Sequence, residues 1–194
     1  MVKKVSLEKT FLKKNYIKKQ LLTNILILVA IFYSFSQTAW DAKTASVAFK
    51  IKNGPVTVDG TFAGLISKIN FDAKNYAKGS IEASVKSNSV NTGIDLRDNH
   101  LKKVEYFNTA KYPKITLKSV SFSKKKDGSF IGIFNLTIKA TTKEVSIPFT
   151  YKEENKKSTF KGSFSINRLD YKLGGDSWTM ADNVNISISL HAQN

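Results

Sequence analysis

From Ala45 onward the apolar residues recur with period two, not with the helical 3.6. Val47, Phe49 and Ile51 alternate with Ser46, Ala48 and Lys50, and Val56, Val58 and Phe62 follow with Gly60 in the same phase. Ile69 and Phe71 form the next run, then Ile81, Ala83 and Val85. Ile115 and Leu117 change phase before Val120 and Phe122, which predicts a β-bulge in that strand. After the turn signal Lys126-Asp127-Gly128 come Gly132, Phe134, Leu136 and Ile138, then Val145, Ile147, Phe149 and Tyr151. Phe160, Gly162, Phe164 and Ile166 precede a final run of Val184, Ile186, Ile188 and Leu190. Period two puts alternate side chains on opposite faces of a strand, so each run reads as a half-buried strand.

Eight strands are expected, or nine if every run is separate. Short polar connections with no intervening helical pattern favour an antiparallel sheet over βαβ units. One helix is expected, near residues 95–104, with Asp95 as its cap and Asp98 facing the exposed amides. Eight strands suffice to close into an up-and-down barrel, which removes edge strands and leaves room for side chains or one small ligand. A two-sheet sandwich satisfies the same alternation. An outer-membrane barrel would turn Lys50, Lys68, Lys86, Lys118, Lys139 and Lys161 into a narrow lumen with few carboxylates to pair them, an expensive arrangement. Its strands also want about 9–11 residues, longer than these runs. The apolar faces are therefore expected to point inward.

Seven lysines among the first 19 residues precede an apolar run from Leu21 to Phe35, too short for a spanning helix of about 20 residues. Small residues at Ser34 and Ser36 complete the pattern of a signal peptide, residues 1–36, cleaved before Gln37. An uncleaved signal anchor is the alternative; either way the domain, residues 37–194, is expected to be periplasmic or secreted. The whole chain carries 31 Lys plus Arg against 15 Asp plus Glu; without residues 1–36 the counts are 24 and 14, a net of +10. What remains is scattered lysine, the only arginines being Arg97 and Arg168, which argues against nucleic acid. An anionic membrane surface or headgroup suits an exported basic protein better.

Zero cysteines and two histidines remove thiol chemistry, disulfides, zinc-thiolate sites and a three-histidine metal centre. No G-x-S-x-G elbow, H-E-x-x-H pair, P-loop or G-x-G-x-x-G is present, and neither enzymatic activity nor a cofactor is expected. The alternative is an isomerase or hydrolase using His100 with Asp98. A third reading is a basic module that meets membrane or partner without an internal ligand. The inward phases assign a lumen lined by Phe49, Ile51, Val58, Phe62 and Phe71 in the first strands. Ile81, Val85, Leu117, Phe134 and Leu136 continue it, and Ile147, Phe149, Phe164, Ile186 and Ile188 complete it. Small Gly60, Ala83, Gly132 and Gly162 among them are expected to leave room. The polar segment 91–101 gathers Arg97, Asp98 and His100, a candidate headgroup mouth together with Arg168. Its structural alternative pairs Arg97 with Asp98 or Asp170 merely to tie the segment to the rim.

The order of several short motifs resembles the YceI-like lipid and polyisoprenoid-binding family. Arg97-Asp98-x-His100-Leu101, Tyr106-Phe107 and Tyr112-Pro113 are similar to its signature stretch. Trp40-Asp41 opens the domain as in that family, and Gly60-Thr61-Phe62 resembles its V-x-G-x-F strand. Leu136 to Lys143 resembles its L-T-I-x-G-x-T-K run, with Ala140 where the family has Gly, and Ile166 to Tyr171 resembles its I-x-R-x-D-F/Y element. Ala45-Ser46 departs from a His-Ser pair common in the family. The resemblance implies a lipocalin-like antiparallel barrel, exported in bacteria, that encloses a long isoprenoid or fatty-acyl chain and has no established catalytic residues.

Overall fold

The computed structural model describes residues 38–194, together with Tyr16 and Lys18 to Gln20. The expected signal peptide and its cleavage point before Gln37 otherwise lie outside the described residues. The second of the chain's two compact units, Gln37–Asn194, carries the sheet. In chain order it contains β1 (Ala39–Asn53), β2 (Val56–Phe62), β3 (Ile66–Asn70) and β4 (Ser80–Lys86), then α1 (Asp95–Leu101). β5 (Lys114–Lys124), β6 (Phe130–Ile138), β7 (Thr141–Glu154), β8 (Lys157–Asn167) and β9 (Asn183–Gln193) follow.

All pairings are antiparallel, and β1 pairs with β9 to close the sheet. Among the described residues the strand count is nine, yet the wall has eight positions. β2 pairs with Val47–Asn53 of β1, whereas β3 pairs with Ala39 and Trp40 on the same edge. The two are one returning strand broken at residues 63–65, where Gly64 takes a left-handed φ of 69°. Closure through β1 and β9 excludes the sandwich. It is the barrel expected from the strand count, with one short edge left: among the described residues β2 pairs with β1 and otherwise only through the bridge between Thr61 and Asn91.

Burial alternates along the strands, most regularly in β6, where Phe130, Gly132, Phe134, Leu136 and Ile138 are buried and the residues between them less so. The exterior is polar. Lys50 meets Asp59 at 2.8 Å and Lys118 meets Glu82 at 2.9 Å, both across exposed neighbouring strands. The hydrogen bond from Lys118 holds the Glu82 carboxyl below the ordinary range. Apolar faces therefore point inward, the reverse of a membrane barrel. The phase change in β5 is a bulge between Ser119 and Ser121, which turns Val120 outward.

One end of the barrel is filled by aromatic rings. Phe71 is fully buried, with the rings of Phe122, Phe130, Phe149, Tyr151 and Phe160 at 5.1–5.7 Å. Such edge-to-face contacts contribute beyond burial alone. Trp40 joins them and donates its indole N–H to the Phe71 carbonyl at 2.9 Å. At the other end Leu136, Ile138 and Ile166 form a second cluster with Tyr171 and Leu173 of the β8–β9 connection, and Phe107 packs against it. α1 differs from the sequence expectation. Its cap position is Ile94, without a side-chain cap bond; Asp95 lies within the first turn, and the helix stops at Leu101.

Candidate functional site

Between the aromatic end and the loops at the opposite end lies an apolar cavity of about 250 Å³. That is close to the lower end of the roughly 300–1,000 Å³ of small-molecule pockets. Along β9 its lining runs from Val184 to Leu190, about 20 Å of strand at roughly 3.3 Å per residue.

Fourteen of the fifteen sequence-assigned lumen residues line this cavity. Phe49 and Ile51 come from β1, Val58 and Phe62 from β2, and Ile81 and Val85 from β4. Leu117, Phe134 and Leu136 come from β5 and β6, Ile147 and Phe149 from β7, Phe164 from β8, and Ile186 and Ile188 from β9. Phe71 is a correction. It follows the end of β3, and its ring is consumed by five aromatic neighbours in the sealed end, so it presents no surface to the hollow. The small residues also need correcting. The ring of Phe49 lies where a Gly60 Cβ would stand, and that of Phe134 covers Gly132, so those glycines admit aromatic side chains rather than open space. Ala83 and Gly162 do line the cavity.

Sequence reasoning missed two groups of lining residues. Ile69, Ile115, Phe160, Val184 and Leu190 share the inward phase of their strands, and that parity was the signal for them. Leu65, Tyr106, Phe107, Leu173 and Met180 arrive from turns and connections and Leu101 from the last position of α1, where no strand period announces the inward face. Phe107 belongs to an aromatic line at the mouth, 5.3 Å from Phe62, which stands 5.6 Å from Phe49.

Arg97 and Arg168 are the two guanidinium side chains in the lining. They are held differently. Arg168 is buried and gives its N–H groups to the carbonyls of Ala181, Leu173 and Gly175 at 2.7–3.1 Å and to Asp182 at 3.0 Å. It pins the long β8–β9 connection and has little left for a guest. Arg97 is half-buried; its Nε donates to Thr92 Oγ1 at 2.7 Å and one terminal nitrogen to the Thr92 carbonyl at 2.8 Å. Thr92 in turn donates its backbone N–H and hydroxyl to the buried Asp98 carboxylate. Two of the five guanidinium N–H donors are thereby used, and no ion pair is formed by Arg97 among the described residues.

The pairing of Arg97 with Asp98 or Asp170 is thus not what the structure has. Thr92 stands between Arg97 and Asp98, and Asp170 pairs with Lys143 at 2.8 Å. Asp98 and His100 lie outside the lining. His100 is exposed, its ring edge-on to Tyr106 at 5.1 Å, with no hydrogen bond to Asp98 among the described residues. The arrangement is an apolar tube with one partly engaged cation at its mouth. Such a site can bury a hydrocarbon and bond an oxygen-bearing end.

A model of the YceI-like domain matches residues 39–192, spanning both ends of the barrel. The chain belongs to the YceI-like family. A UPF0312 protein of Enterobacter sp. (strain 638) is 30% identical over 187 residues, covering 89% of this chain and 96% of the relative. Protein YceI of Escherichia coli O157:H7 is also 30% identical, over 158 residues that cover 77% of this chain and 82% of its own. Among solved structures, Campylobacter jejuni YceI superimposes with a TM-score of 0.66 at 26% identity, covering 71% of this chain and 85% of that one. A polyisoprenoid binding domain from Saccharophagus degradans has the same fold, with a TM-score of 0.64 at 16% identity, covering 80% and 97%. In this YceI-like chain most of the motifs behind the resemblance brace the barrel ends. Trp40 closes the aromatic end, Arg168 and Tyr171 hold the other, and the run from Leu136 to Lys143 is the β6–β7 hairpin. There the left-handed φ of 55° falls on Lys139, so Ala140 stands in place of Gly without strain.

Proposed function

We propose that this protein is an exported lipid carrier that encloses a long isoprenoid or fatty-acyl chain in the barrel, with the polar end of the guest at Arg97. The observation that carries this reading is the cavity itself, about 250 Å³ walled by inward apolar side chains and ending at one guanidinium with donors to spare. Burial of apolar area drives uptake of the chain at roughly 25 cal/mol per Å². Arg97 fixes which end stays at the mouth, since a charge-assisted bond to phosphate, carboxylate or carbonyl is stronger than a neutral one. Membership of the YceI-like family and a polyisoprenoid-binding structural neighbour support the lipid class. The basic and apolar start of the chain supports export, and the carrier acts in the periplasm or outside the cell as a binder rather than a catalyst.

The test is native mass spectrometry of protein taken from its own cells, followed by lipid extraction. The expected result is a co-purifying isoprenoid or long-chain acyl compound and an N-terminus at Gln37. A ligand-free mass, with no uptake from a panel of isoprenoids and fatty acids, overturns the reading.

A further inference from the structure

Seven large apolar side chains between residues 38 and 194 are exposed, and five of them stand at one end of the barrel. Val56 opens β2 beside the β1–β2 turn, Ile94 and Leu96 lie at the start of α1, Val104 follows α1, and Trp178 tips the β8–β9 connection. Leu96 is 83% exposed and Trp178 wholly so. Backbone bonds stitch these segments into one rim. Gly54 donates to the Thr179 carbonyl at 2.6 Å, Ala181 to Lys52 at 2.9 Å and Gly174 to Glu105 at 2.8 Å. The Lys139 ammonium bonds the carbonyls of both Val104 and Lys172. This is the end at which Asn53, Arg97, Tyr106 and Met180 line the cavity, opposite the aromatic seal.

Charge around the rim is unbalanced. Of its carboxylates, Asp98 is buried against Thr92, Asp170 is paired with Lys143 and Asp182 with Arg168, leaving Asp95, Glu105 and Asp176. Lys52, Lys86, Lys102, Lys103, Lys111, Lys114 and Lys172 form no ion pair among the described residues. Lys86 and Lys114 are direct cross-strand partners, both exposed, a like-charge pair that an external anion would relieve.

From these observations we propose that the rim is a docking surface for an anionic lipid bilayer, with Trp178 and Leu96 entering the headgroup boundary and the lysines on lipid phosphates. A partner protein would more naturally meet one continuous face. Here the apolar tips sit on four separate segments, interleaved with lysine, and a tryptophan heads them, the composition that places a surface at a membrane boundary. Docking there sets the cavity's end against the bilayer, so an acyl or isoprenyl chain passes between them without crossing water. Transfer rests on the carrier reading above, but docking does not.

The experiment uses the protein in the form its cells hold, mixed with vesicles of phosphatidylcholine and phosphatidylglycerol in equal amounts, or of phosphatidylcholine alone. Trp178 is a built-in reporter, because the other tryptophan, Trp40, is buried. Docking is expected to shift Trp178 emission to the blue and expose it to bromine-labelled acyl chains in the mixed vesicles. Trp178→Ser combined with Leu96→Ser should weaken flotation with mixed vesicles at least tenfold while leaving the lipid found in the purified protein unchanged. Unshifted Trp178 emission overturns the proposal. So does flotation that the double variant retains, or adsorption that physiological salt abolishes while Trp178 stays in water. Loss of bound lipid from the unmutated protein bears on the carrier reading alone, so the two fail separately.

Discussion

A guanidinium beside a hydrocarbon-lined hollow has to be oriented, and in this chain Thr92 orients it. Arg97→Leu is expected to keep the fold but weaken uptake of a fluorescent fatty acid about 10- to 100-fold, the equivalent of one charge-assisted hydrogen bond of about 1.5–3 kcal/mol. Thr92→Val, which deletes the hydroxyl between Arg97 and Asp98 without touching a guest, should reproduce part of that loss in the same titration. Equal affinity in Arg97→Leu would remove Arg97 from the mouth. A second residue-scale effect belongs to Tyr171. Burial pushes its phenol up to about 12, with the Asp170 charge adding to it. A raised acid leaves stability intact below the unfolded value near 10. Between there and about 12 the unfolded chain sheds a proton that the folded chain keeps, and stability falls as pH rises. The loss approaches about 2 kcal/mol near pH 12. Thermal melts of the parent should therefore fall relative to those of Tyr171→Phe across this window, whatever the lysines contribute to both.

At the scale of elements, the strands were legible because period two is imposed wherever one face is dry and the other wet. The β5 bulge showed as a break in that period, since an inserted residue reverses the parity of everything after it. The interruption between β2 and β3 also shows as a change of parity, from Val58, Gly60 and Phe62 at even positions to Ile69 at an odd one, but parity alone does not say that the strand breaks at Gly64 rather than bulging. The mouth was legible only as composition. Asn91 to His100 stood out as polar, but whether Arg97 met an acid or a hydroxyl depended on how Thr92 folds back over Asp98. Phe71 was misassigned because parity records which face a side chain takes and is silent on whether that face meets a hollow or other rings. Glycine parity misled for the same reason. Gly60 was expected to leave space, yet the cross-strand ring of Phe49 fills it. Gly60→Val should thus drive Phe49 into the lumen, with an overpacking penalty of about 1–3 kcal/mol in urea unfolding and reduced lipid in the purified protein. Adding Phe49→Leu should recover both. Additive losses in the double variant would show that the ring and the glycine are independent.

For the whole molecule, the two ends of the barrel divide stability from binding. The aromatic end is packed solid, so Phe71→Ala should remove about 3–5 kcal/mol while the lipid content of the folded fraction is unchanged. The hollow works in the opposite sense. An apolar hollow forgoes the packing contacts that a filled core would make, and its walls lose them outright. A guest that fills it restores those contacts and stabilises the folded state by mass action. Solvent-extracted and refolded protein is accordingly expected to melt well below lipid-loaded protein. Each kcal/mol corresponds to about 2–4 °C for a chain of this size. Ala83→Phe supplies the discriminating control, because a ring placed in the hollow obstructs the path of a chain permanently. That variant should carry no lipid, melt at or above the extracted parent, and show no shift when lipid is returned. Identical melting of loaded and extracted parent would mean that the walls close on themselves without a guest, and the energetic reason for a resident lipid would disappear.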